Sequence, residues 1–425
     1  MRVLDRLPRG TVVIGGGLVI NGLCAYAFIT IVARTLGPDA YNPIGLLWAI
    51  GFLLGPGLFQ PLEQEVARIV ASRGAAGLGT IPVVRRAAAI GLAISLVLVA
   101  CSLLASRWLI DELFDGEALL LVGMLMLVIG FGAGHLARGL LAGTNRFGAY
   151  SRYLLGDGGS RLAIVAVMVL VGVRSSSPFA IAHGLAPILG ILIALAPERR
   201  LFTDGEPVAW RDLSRAMGSL LAASLATAFL LNVSPLAVQI LADDQQGDAA
   251  GIFLNALLIA RVPLFFFQAV QASLLPRLSA LAGADRYDEM WHELRHLLAL
   301  VVAVGGLAVV GFGFLGPFVV ETAFGSGFAV SSRDMALLAV SSAGLMVALT
   351  FAQALIACRA QGRMALSWAA GVVTFPIAVS FGSDLFLRVE VALIVSVFVS
   401  SILMALMFER RLRSEGVAIR KNGSG

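Results

Sequence analysis

The segment LLALVVAVGGLAVVGFGFLGPFVV, residues 297–320, runs for 24 positions without a charged side chain. A membrane-spanning helix needs about 20 such residues. Working outward in both directions, eleven more apolar segments appear, at 11–33, 43–62, 87–106, 118–137, 162–173, 178–197, 213–241, 249–275, 335–357, 364–383 and 391–408. The fifth has a short core, Leu162 to Val173, and borrows from Tyr153–Ser160, which contains Asp157. The seventh contains Pro235, so a kink is expected there. Of 425 residues, 59% are hydrophobic and 13% charged, and the mean hydropathy is +0.91. Soluble domains average about 25% charged residues. A soluble, disordered or nucleic-acid-binding chain is thereby excluded despite the net charge of +5. The expected fold class is an all-α polytopic membrane protein of about 12 transmembrane helices, with no room for a soluble catalytic domain.

The charges orient the spans. In a twelve-span chain alternate loops share a side. The N-terminal tail, the 63–86, 138–161, 198–215, 276–296 and 358–363 segments and the C-terminal tail hold 25 of the 31 Lys and Arg residues. The opposite side holds Arg34, Arg107, Arg174, Arg333 and Arg388, and Arg261 falls inside the eighth span. Asp111, Glu112, Asp115, Glu117, Asp243, Asp244 and Asp248 also fall on that poorer side. The positive-inside rule then makes both termini cytoplasmic, in a multi-pass protein of the cytoplasmic (inner) membrane. Ala25-Tyr26-Ala27 mimics a signal-peptide cleavage site, but the apolar run continues to Ala33, too long for a typical h-region.

The longest basic-side loop, Pro197 to Arg215, leaves six spans on each side. We read an N-terminal lobe at 1–200 and a C-terminal lobe at 201–425. Gly37-Pro-Asp-Ala40 and Gly247-Asp-Ala-Ala250 lie 210 residues apart, each preceding a proline-bearing helix (Pro56, Pro61; Pro263, Pro276). Arg68 and Arg277 then mark the exits. Such a shift preserves orientation, as in the parallel repeats of secondary transporters. The alternative is that two amphipathic outside turns look alike by chance.

The string Ile31-Val-Ala-Arg-Thr-Leu-Gly-Pro-Asp-Ala-Tyr41 resembles the polysaccharide-exporter branch of the multidrug/oligosaccharidyl-lipid/polysaccharide (MOP) flippase superfamily. Asn42-Pro43 stands where that branch usually has glycine. Leu275-Pro-Arg-Leu-Ser279 is similar to a string at the exit of the eighth helix in that branch. The resemblance implies a MATE/MOP-like arrangement of two six-helix lobes around a central cavity. It also implies translocation of an undecaprenyl-pyrophosphate-linked oligosaccharide by alternating access, from the inner to the outer leaflet. The implied partners are that lipid-linked oligosaccharide, membrane lipids and a glycan polymerase or glycosyltransferases. The peptidoglycan-precursor flippases of the superfamily usually have fourteen spans and arginines in the first two helices. The drug antiporters usually hold a carboxylate within a helix, and here no Asp or Glu is read near the middle of a well-defined span.

Arg261, in Leu258-Ile-Ala-Arg-Val-Pro263, is the sharpest chemical signal. A charge at the bilayer centre costs roughly 2.5–3.5 kcal/mol on insertion scales, so it faces a cavity or a partner. A guanidinium fork suits a phosphate. The competing reading is a structural bond to carbonyls freed by Pro263. Gln268, seven residues on, shares its helical face. Arg34 either lines the outer cavity or snorkels to headgroups. Asn21, Gln60, Gln239, Asn255 and Gln353 suit sugar hydroxyls, as do Asn232 and Gln271, although polar residues in spans also glue helices together. His135 and His183 read as satisfied packing histidines, with no titrating partner evident. Glu63 and Glu65 read as a solvated ion-pair cluster with Arg68 and Arg73. Gly51/Gly55 and Gly130/Gly134 read as close-packing pairs. Cys24, Cys101 and Cys358 form no metal or disulfide pattern, no P-loop or nucleophile elbow is present, and no cofactor is expected. Two rivals to the flippase stay open: an ion-coupled small-molecule or drug exporter, and a non-transporting scaffold for glycan assembly.

Overall fold

The computed structural model describes residues 9–75, 77–198, 201–208, 210–243, 245–358 and 360–422. The described residues are helical throughout and contain no strand. The helices are α1 (Arg9–Leu36), α2 (Pro38–Leu54), α3 (Gln60–Ala75), α4 (Ile81–Leu104), the short α5 (Ser106–Trp108), α6 (Ala118–Gly143), α7 (Phe147–Leu170), α8 (Ser176–Leu195), α9 (Trp210–Leu241), α10 (Ala249–Ala260), α11 (Val262–Gly283), α12 (Tyr287–Phe324), α13 (Ser332–Ala357), α14 (Gln361–Val379) and α15 (Leu385–Asn422). Among the described residues, eleven helices are long and apolar enough to cross a membrane. The fold is that of a multi-pass, all-α membrane protein. Its large apolar side chains point outward in number: Leu104, Leu170 and Phe314 are each more than 80% exposed. That surface suits hydrocarbon and would not stay dispersed in water.

Three elements differ from the sequence reading. The fifth span is not short. It is the 24-residue α7, which continues back through Tyr153–Ser160 and places Asp157 near its middle. The buried partners of Asp157 supply what hydropathy alone counts as a cost. The second span is the 37-residue stretch Pro38–Gly74. Gly37, at φ 77°, breaks the chain after α1, and Pro38 starts α2 where no amide hydrogen is needed. Between α2 and α3 the stretch passes through a π-helical turn at Gly55–Phe59, around Pro56. The eighth span is interrupted at Arg261, which separates the 12-residue α10 from α11. Pro263 has no amide hydrogen to donate, so the helical ladder loses a bond there.

The chain divides into two compact units, Met1–Ala228 and Phe229–Gly425, with the division inside α9. In the first unit α6 packs on α8, α7 on α8, and α3 on α6. In the second, α13 packs on α15, α14 on α15, and α11 on α13. The same three pairings therefore recur in the same order. Each unit's second span also carries its irregularity beside a proline, at Pro56 and at Pro263.

The segment 201–208 folds back onto the α3–α4 corner of the first unit. Thr80 Oγ1 donates to Leu201 O at 2.8 Å, and Ile81 N donates to Thr203 O at 3.0 Å. Leu201 and Val208 join the core formed by Leu62, Val66, Val83 and Tyr150.

Candidate functional site

The first unit holds a buried charged chamber built on α7. Gly158 lets α1 approach: a Cβ there would stand 2.5 Å from Asn21 Oδ1 and 3.0 Å from Cys24 Cβ. Gly190 does the same for α8, where a Cβ would stand 3.1 Å from Asp157 N. Enclosed by these close crossings, Asp157 accepts hydrogen bonds from Arg161 Nη2 at 2.8 and 2.9 Å, one to each carboxylate oxygen. The pair is one helical turn apart, the spacing at which helix side chains meet. The Arg161 guanidinium also lies 5.8 Å from the Phe28 ring centre and 5.6 Å from that of Trp48, within cation–π range. His183, from α8, stacks on the same two rings at 5.4 and 5.2 Å. It is 2% exposed, and neither ring nitrogen has a hydrogen-bond partner. Buried polar atoms are nearly always paired. The two imidazole nitrogens are thus buried and unpaired beside a fixed charge pair.

A second buried network lies further along the same unit. Glu63 Oε2 meets His135 Nδ1 at 2.8 Å and Arg138 Nη2 at 3.0 Å, while Glu63 Oε1 accepts from the Tyr150 hydroxyl at 2.7 Å. Arg138 Nε donates to the same hydroxyl at 3.1 Å, and its guanidinium lies over the Tyr150 and Tyr153 rings. This corrects two expectations. Glu63 and Glu65 are buried, not solvated: Glu65 pairs with Arg68, and Arg73 reaches the Glu206 carbonyl. The histidines are not interchangeable packing residues either. His135 has a titratable partner in Glu63, whereas His183 packs between aromatic rings with no hydrogen-bond partner.

In the second unit Arg261 and Asn255 are buried. Arg261 sits at the break between α10 and α11, with its amide directed to Leu257 O and Leu258 O. Gln353 and Gln239 are half-buried, and the Gln353 Oε1 atom is buried without a partner. In the first unit Asn21 is half-buried beside Gly158, and so joins the Asp157 chamber. Arg34 and Gln60 are exposed. The Gln268, Gln271 and Pro276 side chains lie outside the described residues. Of the expected set, Asn21 lies beside Gly158, next in sequence to Asp157. Gly51 and Gly55 meet Leu127 and Phe131, and Gly130 meets Pro187, so these glycines serve helix packing.

The expectation that no carboxylate lies near the middle of a well-defined span fails at one helix, α7, which the sequence left short. Asp157 lies mid-helix in α7, and Glu63 and Glu390 are buried within spanning helices. Asp157 and Arg161 were legible as an opposite-charge pair at helical spacing. Glu63 was not, because its partners lie 72 to 87 residues away.

With this geometry in place, comparison with solved structures is informative. An inward-facing multidrug-resistance MATE transporter of the MOP superfamily superimposes with a TM-score of 0.76, covering 93% of this chain and 95% of that one at 14% identity. The chain has the fold of the MATE transporters. An outward-facing MATE transporter of the MOP superfamily gives a TM-score of 0.62 at 14% identity, over 96% of both chains. A Pyrococcus furiosus MOP transporter, described as having a binding pocket of reversed polarity that suggests a different function, gives 0.63 at 14% identity, over 96% of this chain and 95% of that one. In sequence, the chain is 29% identical over 396 residues to the uncharacterized protein Rv3630 of Mycobacterium tuberculosis, covering 90% of this chain and 88% of that one. It is 28% identical over 399 residues to Rv1510 of the same organism, covering 91% and 89%. No family model matches.

Proposed function

We propose that this chain is a transporter of the cytoplasmic membrane that moves an undecaprenyl-pyrophosphate-linked oligosaccharide to the outer leaflet by alternating access. It would act without enzymatic chemistry and without a cofactor, alongside glycan polymerase or glycosyltransferases. The fold supports transport, and the observation that carries the cargo class is Arg261. It is a buried cation at the break of α10 and α11, 7% exposed, with Asn255 buried on the same short helix. A permanently charged fork of donors inside a spanning segment is suited to an anionic phosphate headgroup. Buried amides replace the water of sugar hydroxyls, whose unpaired transfer costs several kcal/mol per group. The basic-side loops place both termini in the cytoplasm on this reading. The inside-negative potential then favours outward passage of pyrophosphate by about 2.3 kcal/mol per charge per 100 mV.

Asp157 favours a second reading, an ion-coupled exporter of small molecules. Its carboxylate, its arginine and the unpaired His183 nitrogens are a buried cluster of ionisable groups within one spanning helix bundle, of the kind ion coupling needs. One experiment separates the two. The chain is depleted in its host and complemented with wild type, Arg261→Ala or Asp157→Asn, and lipid-linked oligosaccharide on the inner leaflet is measured. Accumulation relieved by wild type but not by well-expressed Arg261→Ala supports the flippase. No accumulation on depletion, in a host without a second exporter, overturns it. Unchanged glycan with drug resistance restored by wild type, but not by Asp157→Asn, favours the exporter.

A further inference from the structure

Every buried carboxylate that the structure describes has a hydrogen-bonding partner except one. Glu63 has His135, Arg138 and Tyr150; Glu65 has Arg68; Asp157 has Arg161; Asp334 has Arg333 and its own helix cap at Ser331. Glu390, in the second turn of α15, is fully buried, and neither of its oxygens meets a donor. An ionised carboxylate in that setting loses its hydration and gains nothing in return, a cost of several kcal/mol. The charged groups facing it are Asp334 and Arg333 from α13 and Asp384 from the start of α15. Arg333 does not compensate, because its guanidinium is shared by Asp334, at 2.8 Å, and Asp384, at 3.4 Å. Nor is a metal ion accommodated: the described residues contain no cluster of three ligating side chains, and a small cation needs about six oxygen ligands. A proton needs only one.

We propose that Glu390 is a proton-binding site of the second unit, holding H⁺ as a neutral carboxylic acid in this conformation. The proton is released only when α13 and α15 part enough for water to reach the carboxyl. The net step is dissociation of one O–H bond, with the electron pair left on the carboxylate and the proton passed to water. The proposal does not rest on Arg261 or Asp157, and it stands whichever cargo the protein carries.

The test is infrared spectroscopy of the full chain in phosphatidylcholine liposomes at neutral pH, comparing wild type with Glu390→Gln. The wild type should show the carbonyl stretch of one protonated carboxylic acid, and Glu390→Gln should lack it. As a second measure, the wild type should lose thermal stability relative to Glu390→Gln as pH rises from 6 to 8, because the folded state keeps a proton that the unfolded carboxyl, ionising at about 4.3, has released. A wild-type spectrum without that band overturns the proposal, and this arm needs no variant to fold. A band that persists in Glu390→Gln, or a stability difference between wild type and Glu390→Gln that does not change between pH 6 and 8, overturns it equally.

Discussion

Arg161 bridges both oxygens of Asp157 with a single nitrogen, at 2.8 and 2.9 Å, in the middle of a spanning helix. Its guanidinium also lies within cation–π range of Phe28 and Trp48. The charge pair and the aromatic wall thus share one residue. Both charged side chains are more than 90% buried. Breaking such a pair by removing one partner costs about 3–5 kcal/mol, because the other charge is left uncompensated. Arg161→Met should therefore lower thermal stability in detergent strongly. Asp157→Asn combined with Arg161→Met should recover much of the loss. A double variant no more stable than Arg161→Met would show that the guanidinium acts through its aromatic contacts alone.

The Glu63 network makes a graded prediction. Tyr150→Phe removes the hydroxyl's bond to Glu63, worth about 1.5–3 kcal/mol, together with the bond it accepts from Arg138 Nε, and leaves His135 and Arg138 Nη2 on Glu63. Glu63→Ala strands Arg138 and should cost more. Thermal unfolding of the two variants checks the order, and equal losses would refute it.

Helix crossings in the first unit are set by glycines with unequal tolerance. A Cβ at Gly184 would stand 2.5 Å from the Gly123 carbonyl oxygen, which is backbone and does not yield. Gly22 has nothing within 4 Å of that position. Gly184→Ala should cost about 1–3 kcal/mol by overpacking, and Gly22→Ala should be neutral or slightly stabilising, since alanine is the better helix former. Paired melting curves decide it.

The folded-back segment depends on Gly79, whose Cβ would collide with the Asp204 carbonyl. Gly79→Ala should release residues 201–208 from Thr80 and expose them to protease. Limited proteolysis followed by mass spectrometry should show new cleavage within 201–208, and an unchanged digest would contradict the assignment.

Asp384 caps α15, accepting the Leu387 amide at 2.9 Å. That bond, with Arg333 nearby, holds its carboxyl below the usual range. A lowered folded-state value means stability present above the unfolded value of about 3.9 and lost as pH falls through the folded one. Asp384→Ala should cost about 0.5–2 kcal/mol at neutral pH. The difference from wild type should shrink below about pH 4, as thermal scans across pH will show.

Much of the architecture was legible because hydrocarbon imposes one rule on the whole chain. Apolar runs located the helices, and the recurring proline-bearing second span announced the repeat of helix pairings. The fifth helix was underestimated because Asp157 and Arg161 depress its hydropathy, and only tertiary contact with Phe28, Trp48 and α8 explains their presence. The π turn at Gly55–Phe59 has no spacing of its own to read. Arg261 was visible in sequence as a charge beside a proline, whereas the want of hydrogen-bond partners at Glu390 and His183 exists only in three dimensions. The polar network of Glu63 joins α3, α6 and α7, and no local window contains it.

The stacking of Trp48 on His183 has an optical consequence. An indole with an imidazole 5.2 Å from its centre and a guanidinium 5.6 Å away sits in an environment that a single proton or water would change. Of the chain's five tryptophans, Trp108, Trp291 and Trp368 have no such neighbours among the described contacts. Intrinsic emission from Trp48 therefore makes the first unit its own indicator dye, reporting on its buried interior without any label.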